Sequence, residues 1–298
     1  MTLRLATRRS PLALIQARYV QGRLEALGID CELVLVDTTG DRDSLAALSA
    51  IGGEGVFAVE IQRALLEDRA DVAVHSAKDL PSTTPRGLAL VSVPERLDAA
   101  DVLVGRSLAG LGPGATVATG SPRRRALLLE RRPDLQVVEL RGNMATRLAV
   151  AGTNGVDAVV AARAALVRLG QDELVSERLD PTWFVPQVGQ GALALEARED
   201  DGDTVAALVA LNDVAAFNEV NAERAFLEEL GAGCSIPGGA HGATTGDSLT
   251  LRGVMIAHDG SKSVRAELTG TDAAALGRDL ARLLRDDMGG DALFGEEA

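Results

Sequence analysis

Two short segments gather arginine beside helix-start signals: Gly120-Ser121-Pro122-Arg123-Arg124-Arg125 and Leu140-Arg141-Gly142-Asn143-Met144-Ala145-Thr146-Arg147. In the first, Ser121 is placed to cap a helix that opens with Pro122, so free backbone N–H groups and guanidinium groups converge on one spot. Arginine at such a spot can grip a carboxylate or phosphate through two parallel hydrogen bonds. Successive helical residues diverge by about 100°, so one or two of Arg123, Arg124 and Arg125 can share a ligand, but not all three. Arg131 and Arg132, farther down the same helix, fit a solvated face. Arg141 and Arg147 flank the second helix start, at Asn143, and repeat the anion-binding geometry.

A second kind of chemistry is offered by Val72-Ala73-Val74-His75-Ser76-Ala77-Lys78-Asp79-Leu80-Pro81. It puts a carboxylate and an amine just beyond the carboxyl end of a strand, where open α/β sheets place their sites. The bland alternative is an exposed Lys–Asp turn. His75 reads as a hydrogen-bonded histidine near the core. Cys234 falls in a glycine-rich loop, Gly231-Ala232-Gly233-Cys234-Ser235-Ile236-Pro237-Gly238-Gly239, where a thiol is accessible, whereas Cys31 sits in an apolar strand and is structural. Two cysteines and three histidines show no metal-ligand spacing, so no metal is expected.

The 298 residues carry 30 basic against 43 acidic side chains, a net charge of −13, and aromatics make up only 2%. General nucleic-acid binding, which needs a basic face and stacking rings, is therefore not expected. No stretch approaches the roughly 20 apolar residues that span a bilayer. Residues 1–7 alternate apolar and polar like a strand rather than a secretory leader, which points to a cytoplasmic protein without membrane partners.

The elements that must position these groups alternate between strand and helix. A strand over 3–6 leads to a helix from Pro11 to Leu27, capped by Ser10 and ended by Gly28, with Leu12, Ile15, Tyr19, Val20 and Leu24 as its packing face. A strand ending at Val36, a polar and glycine-rich stretch over 37–55 that suggests a lid, a helix over 56–68 and a strand over 71–74 complete a βαβ-like pattern and predict a mostly parallel sheet. The alternation restarts near Asp101, with strands over 116–119, 136–140 and 156–161. A strand over 192–196 follows Val188-Gly189-Gln190-Gly191. The pattern then changes to a helix over 214–230, the cysteine loop, a hairpin around Asp259-Gly260 and a last helix over 272–287.

Together these segments resemble the porphobilinogen deaminase family over nearly the whole chain. The resemblance rests on Ala6-Thr7-Arg8-Arg9-Ser10-Pro11-Leu12-Ala13-Leu14, on His75 to Pro81, on Thr119-Gly120-Ser121-Pro122-Arg123-Arg124, on Leu140-Arg141-Gly142-Asn143, Thr146-Arg147-Leu148, Val188-Gly189-Gln190-Gly191-Ala192 and Gly233-Cys234. It implies an α/β fold: two type II periplasmic-binding-protein-like domains with a central cleft, plus a small α+β C-terminal domain. The domains expected are 1–97 with 190–211, 98–189, and 212–298. It also implies a dipyrromethane cofactor joined by a thioether to Cys234, onto which four units of the substrate porphobilinogen condense with release of ammonia. Each pyrrole ring bears an acetate and a propionate, so the arginines acquire a purpose. By the family pattern Arg8, Arg123, Arg124, Arg141, Arg147 and Arg168 contact these carboxylates, helped by Lys78, Ser10, Thr119, Ser121 and Gln190. Asp79 matches the catalytic aspartate, and a monomer is the family's expectation.

The chain departs from that pattern where Gly53-Glu54-Gly55-Val56-Phe57 and Val59 replace two lysines, and where Gly120 and Pro122 replace a more common Ser and Leu. Arg9, Arg42 or Arg125 is expected to compensate for the missing charge. Two other classes fit parts of the pattern. One is a cleft-closing anion-binding or sensor module, against which the cysteine loop and its domain count. The other is a Schiff-base synthase using Lys78.

Overall fold

The computed structural model describes residues 2–37, 58–231 and 237–293. They fall into two compact units, one formed by 1–97 with 191–220 and the other by 98–190 with 221–298.

The first unit is built on a five-stranded sheet of order β2-β1-β3-β10-β4, with β1 at Thr2–Arg8, β2 at Asp30–Val36, β3 at Val72–Ser76, β4 at Leu88–Ser92 and β10 at Leu193–Arg198. β1 pairs in parallel with β2 and β3, whereas β10 runs antiparallel to both β3 and β4. The sheet is therefore mixed rather than mostly parallel. The strand between β3 and β4 comes from about a hundred residues later in the chain, so no local βαβ crossover dictates its direction.

Side chains alternate between the two faces. Leu3, Leu5, Val72, Val74, Leu193 and Leu195 pack on helix α1, Pro11–Glu25, through Ala17, Val20 and Leu24. On the other face Ala6 and Ala73 meet helix α2, Val59–Leu66, through Ile61, Ala64 and Leu65. The buried stripe of α1 is Ala13, Gln16, Ala17, Val20 and Leu24. Ile15 and Tyr19, expected in that stripe, are partly exposed, because the small Ala13 and Ala17 bring the helix close to the sheet and turn the larger pair outward.

The second unit holds another mixed sheet, of order β7-β6-β8-β5-β9, with β5 at Asp101–Val104, β6 at Thr116–Ala118, β7 at Gln136–Val138, β8 at Ala158–Ala162 and β9 at Val175–Arg178. Its helices include α3, Pro122–Arg131, α4, Met144–Ala149, and α5, Arg163–Arg168. Helix α6, Gly202–Val209, belongs to the first unit, and α7, Val214–Leu230, leads on to the C-terminal segment.

In that segment β11, Gly238–Thr245, β12, Ser248–Ile256, and β13, Ser263–Gly270, form an antiparallel sheet. Helix α8, Ala273–Arg282, packs on it through Leu276 and Leu280 with Phe226 of α7. Val254 and Ile256 join Ala126 and Leu127 of α3 and Phe184 in a shared core. Gly260, at the expected hairpin, has φ of 75° and lies against α3 so closely that a Cβ would stand 2.6 Å from the Ala126 carbonyl oxygen. The hairpin between β11 and β12, which turns at Gly246-Asp247, and strands β4, β5 and β9 are additional to the expected elements. The last helix is regular only to Arg282 and continues as a π-helical turn over Leu283–Asp287.

Candidate functional site

In the first unit the candidate chemistry gathers at the carboxyl ends of β1 and β3. Ser10 caps α1, its hydroxyl accepting from the Ala13 N–H at 3.3 Å, and Pro11 opens the helix as expected. β3 runs two residues farther than expected, through His75 and Ser76, before a 3-10 turn over Ala77–Asp79. That turn carries Lys78, half-buried, and Asp79, whose side chain is 34% exposed. Arg8, the last residue of β1, brings Nη1 within 3.9 Å of Asp79 Oδ2. This is a charge pairing too long for a good hydrogen bond. Arg8, Ser10, Gln16, His75, Ser76 and Asp79 line one cavity of about 50 Å³, room enough for a carboxylate or a few waters.

Beneath the cavity lies a polar group that the sequence does not announce. Glu196 on β10 is completely buried. Its carboxylate accepts from Gln62 Nε2 at 3.0 Å and lies 3.2 Å from His75 Nε2.

In the second unit Ser121 caps α3, accepting from the Arg124 N–H at 3.4 Å, and its own N–H donates to Thr119 Oγ1. The three arginines diverge as helical geometry requires. Arg125 is exposed and donates to the Val137 carbonyl. Arg123 and Arg124, expected to meet ligand carboxylates, are buried and converge on a carboxylate of the chain itself. Arg123 Nη2 donates to Asp101 Oδ2 at 2.8 Å and Arg124 Nη2 to Oδ1 at 2.7 Å. Arg123 also donates to the Val185 carbonyl, and Arg124 to that of Val160. Gln190 Nε2 completes the group with bonds to Asp101 Oδ1 and the Ala99 carbonyl.

Burial alone would raise the Asp101 carboxyl, but the charges of Arg123 and Arg124 and the hydrogen bonds from Arg123 and Gln190 outweigh it and hold it down to about 2. Burial draws the Arg123 guanidinium below its usual range despite the pull of Asp101. Two guanidinium groups against one carboxylate leave this buried group with excess positive charge. Asp101 escaped the sequence reading although one signal was there: an acidic residue opening the otherwise apolar Asp101–Val104 strand.

Arg141 and Arg147 share one short segment. Arg141 is exposed and pairs with Glu139 at 2.7 Å, while Arg147 Nε donates to the Gly142 carbonyl. Asn143 caps α4 through the Thr146 N–H, as expected. That helix is only six residues long, so less dipole stands behind it than the pattern suggested. Arg168, half-buried, ends α5. Gly120, one of the departures, fits where a Cβ would stand 2.6 Å from the Leu140 carbonyl oxygen. Of the residues expected to compensate for missing lysines, Arg9 pairs with Asp37 at 2.5 Å and Arg125 is held by Val137. Arg42, Glu54, Cys234 and all but the first residue of the expected lid over 37–55 lie outside the described residues. Among the described residues no cluster of His, Cys, Asp and Glu is arranged to hold a metal ion, and no helix is long and apolar enough to cross a membrane.

Arg8 at the end of β1 and Asp79 on the turn after β3 thus bring opposite charges into one cavity at the strand ends of a mixed sheet, the place where α/β folds carry their sites. The chain belongs to the porphobilinogen deaminase family, whose members are transferases: residues 3–206 match the family's dipyromethane cofactor binding domain and 217–286 its C-terminal domain. Its relatives include the porphobilinogen deaminases of Trichlorobacter lovleyi, 44% identical over 95% of this chain and 93% of the relative, and of Acidothermus cellulolyticus, 46% identical over 94% and 87%. That of Geobacter sulfurreducens is 42% identical over 98% and 93%. Among solved structures, the methionine-binding protein MetQ aligns with a TM-score of 0.45 at 16% identity, over 73% of this chain and 90% of that one.

Proposed function

We propose that the chain condenses four porphobilinogen units head to tail on a dipyrromethane held by a thioether at Cys234, releasing one ammonia per unit, after which water cleaves the methylene link to the cofactor and frees hydroxymethylbilane. The observation that carries this reading is Asp79, presented on a strand-end turn in one cavity with Arg8 and Ser10, within the stretch that matches a cofactor-binding domain. The chemistry of the donor set fits the cofactor: a dipyrromethane bears carboxylates, and guanidinium groups and hydroxyls are the groups that bind them. When bound, the cofactor supplies the pyrrole carbon from which the product chain grows.

Arg8, Ser10 and Lys78 in the first unit, and Arg141, Arg147 and Arg168 in the second, bind acetate and propionate side chains. Thr119 and Ser121 add hydroxyls at the start of α3. Arg123, Arg124 and Gln190 contribute through the excess positive charge of their group with Asp101, which attracts carboxylates even while its donors are occupied. The Asp79 carboxylate stabilises the positive charge that develops on a pyrrole nitrogen as ammonia leaves, and accepts or returns protons there. Arg8, 3.9 Å away, places a positive charge beside that carboxylate.

The protein acts as a cytoplasmic monomer in this proposal, with residues 1–97 and 190–211, 98–189, and 212–298 as its three domains. The test is Asp79→Ala: turnover of porphobilinogen should be abolished with the fold intact by circular dichroism, whereas normal turnover would remove Asp79 from the mechanism.

A further inference from the structure

His75 and Glu196 come from the two sequence segments that adjoin the proposed chemistry, yet neither has a part in it. On the antiparallel ladder His75 stands opposite Ala194 and Glu196 opposite Ala73. The two side chains are therefore diagonal neighbours on one face of the sheet, the face covered by α2. Glu196 is fully buried and His75 nearly so. The separation between Glu196 Oε2 and His75 Nε2 is 3.2 Å, and Nε2 has no aligned hydrogen bond of its own.

A carboxylate so placed is costly unless neighbouring donors compensate it. Gln62 of α2 donates to both carboxylate oxygens, and the His75 imidazole stands beside them on the same face. On the opposite face the next residue, Ser76, exchanges hydrogen bonds with Gln16 of α1 at 2.8 and 3.1 Å. The last two residues of β3 are thus tied on both faces, and the turn bearing Asp79 leaves the sheet directly after them.

We infer that His75 and Glu196 form a positioning pair for Asp79, fixing the end of β3 and with it the place of the reactive carboxylate in the cavity. The inference rests on Asp79 being the chemical centre. Arg8 from β1 and Asp79 from the turn are the charged groups sharing the cavity with His75, while α1 and α2 contribute to its lining the uncharged Ser10, Gln16 and Ile61. A group misplaced by an ångström can lose about a hundredfold in rate, so the pair acts on kcat rather than on substrate affinity.

The experiment is a double-mutant cycle on the cofactor-loaded enzyme, with loading verified by intact mass. Glu196→Gln, which keeps a hydrogen-bonding side chain facing Gln62, should lower kcat about tenfold or more while KM stays within about twofold. In an Asp79→Glu background, where the carboxylate is already displaced, the same substitution should cost less than about threefold. His75→Gln, which retains a donor toward Glu196, should keep several times the activity of His75→Ala, and this comparison stands even where Glu196→Gln does not fold. Losses that multiply across the cycle, or His75→Gln as impaired as His75→Ala, would overturn the pair while leaving Asp79 in place. Normal turnover in Asp79→Ala would instead remove the reading beneath it.

Discussion

Arg124 and Asp101 are buried together, with Nη2 2.7 Å and Nε 3.0 Å from the same carboxylate oxygen, so an arginine placed by its motif to receive an external anion already holds an internal one. Arg123 approaches the other oxygen, and the strand-opening Asp101 thereby anchors the first turn of α3. Asp101→Asn removes the only formal negative charge of this group and leaves two buried guanidinium groups facing each other. The expected loss is about 3 kcal/mol or more of unfolding free energy, seen as a lower urea midpoint. An unchanged midpoint would contradict the anchoring role.

Acid should act through the same group. Asp101 ionises near 2 when folded, below the roughly 3.9 of an unfolded aspartate, so the unfolded chain takes up its proton first. The stabilisation is complete above about pH 5 and is lost as the pH falls through about 4 towards 2. Asp98 contributes in the same sense: burial works against it, but Arg178, the Ala100 N–H and Arg163 prevail and lower it too. Urea midpoints measured between pH 6 and pH 3 should fall steeply for the parent chain and less steeply for Asp101→Asn.

Gly260 offers a test of how the C-terminal sheet is seated. Its left-handed backbone disfavours any side chain, and the nearest obstacles to a Cβ are main-chain atoms of α3, which cannot swing aside. Gly260→Ala should therefore lower the melting temperature by several degrees. Gly246, also left-handed but with open space around its missing Cβ, is the control, and Gly246→Ala should cost less.

Lys78 neighbours Asp79 on the same turn, and the two imply different chemistries. In the proposed reaction the lysine binds carboxylate and forms no imine. Borohydride added during turnover should leave the mass of the peptide containing Lys78 unchanged, and a reduced adduct there would reassign the chemistry to a Schiff base.

Much of this was legible where local rules act alone. Ser10, Ser121 and Asn143 cap the helices their positions announce, and Pro11 and Pro122 open theirs, because caps depend on neighbours three residues away. The strand that opens at Val72 and the polar turn carrying Asp79 followed from a short apolar run and its sequel, although the strand runs on through His75 and Ser76. What escaped depends on distant partners. β10 lies antiparallel between β3 and β4, a pairing over more than a hundred residues that no periodicity records. Asp101 and Glu196 look like ordinary carboxylates until the fold buries them against Arg123, Arg124, His75 and Gln62. The stripe of α1 was misplaced for a related reason, since alanine counts little in hydrophobic spacing yet sets how closely a helix can approach a sheet.

The most direct test of the account is the intact mass of the purified protein, followed by peptide mapping across Cys234. The account predicts the added mass of a dipyrromethane on that cysteine, either as isolated or after incubation of the unmodified chain with porphobilinogen. A chain that remains unmodified at Cys234 after that incubation would contradict it.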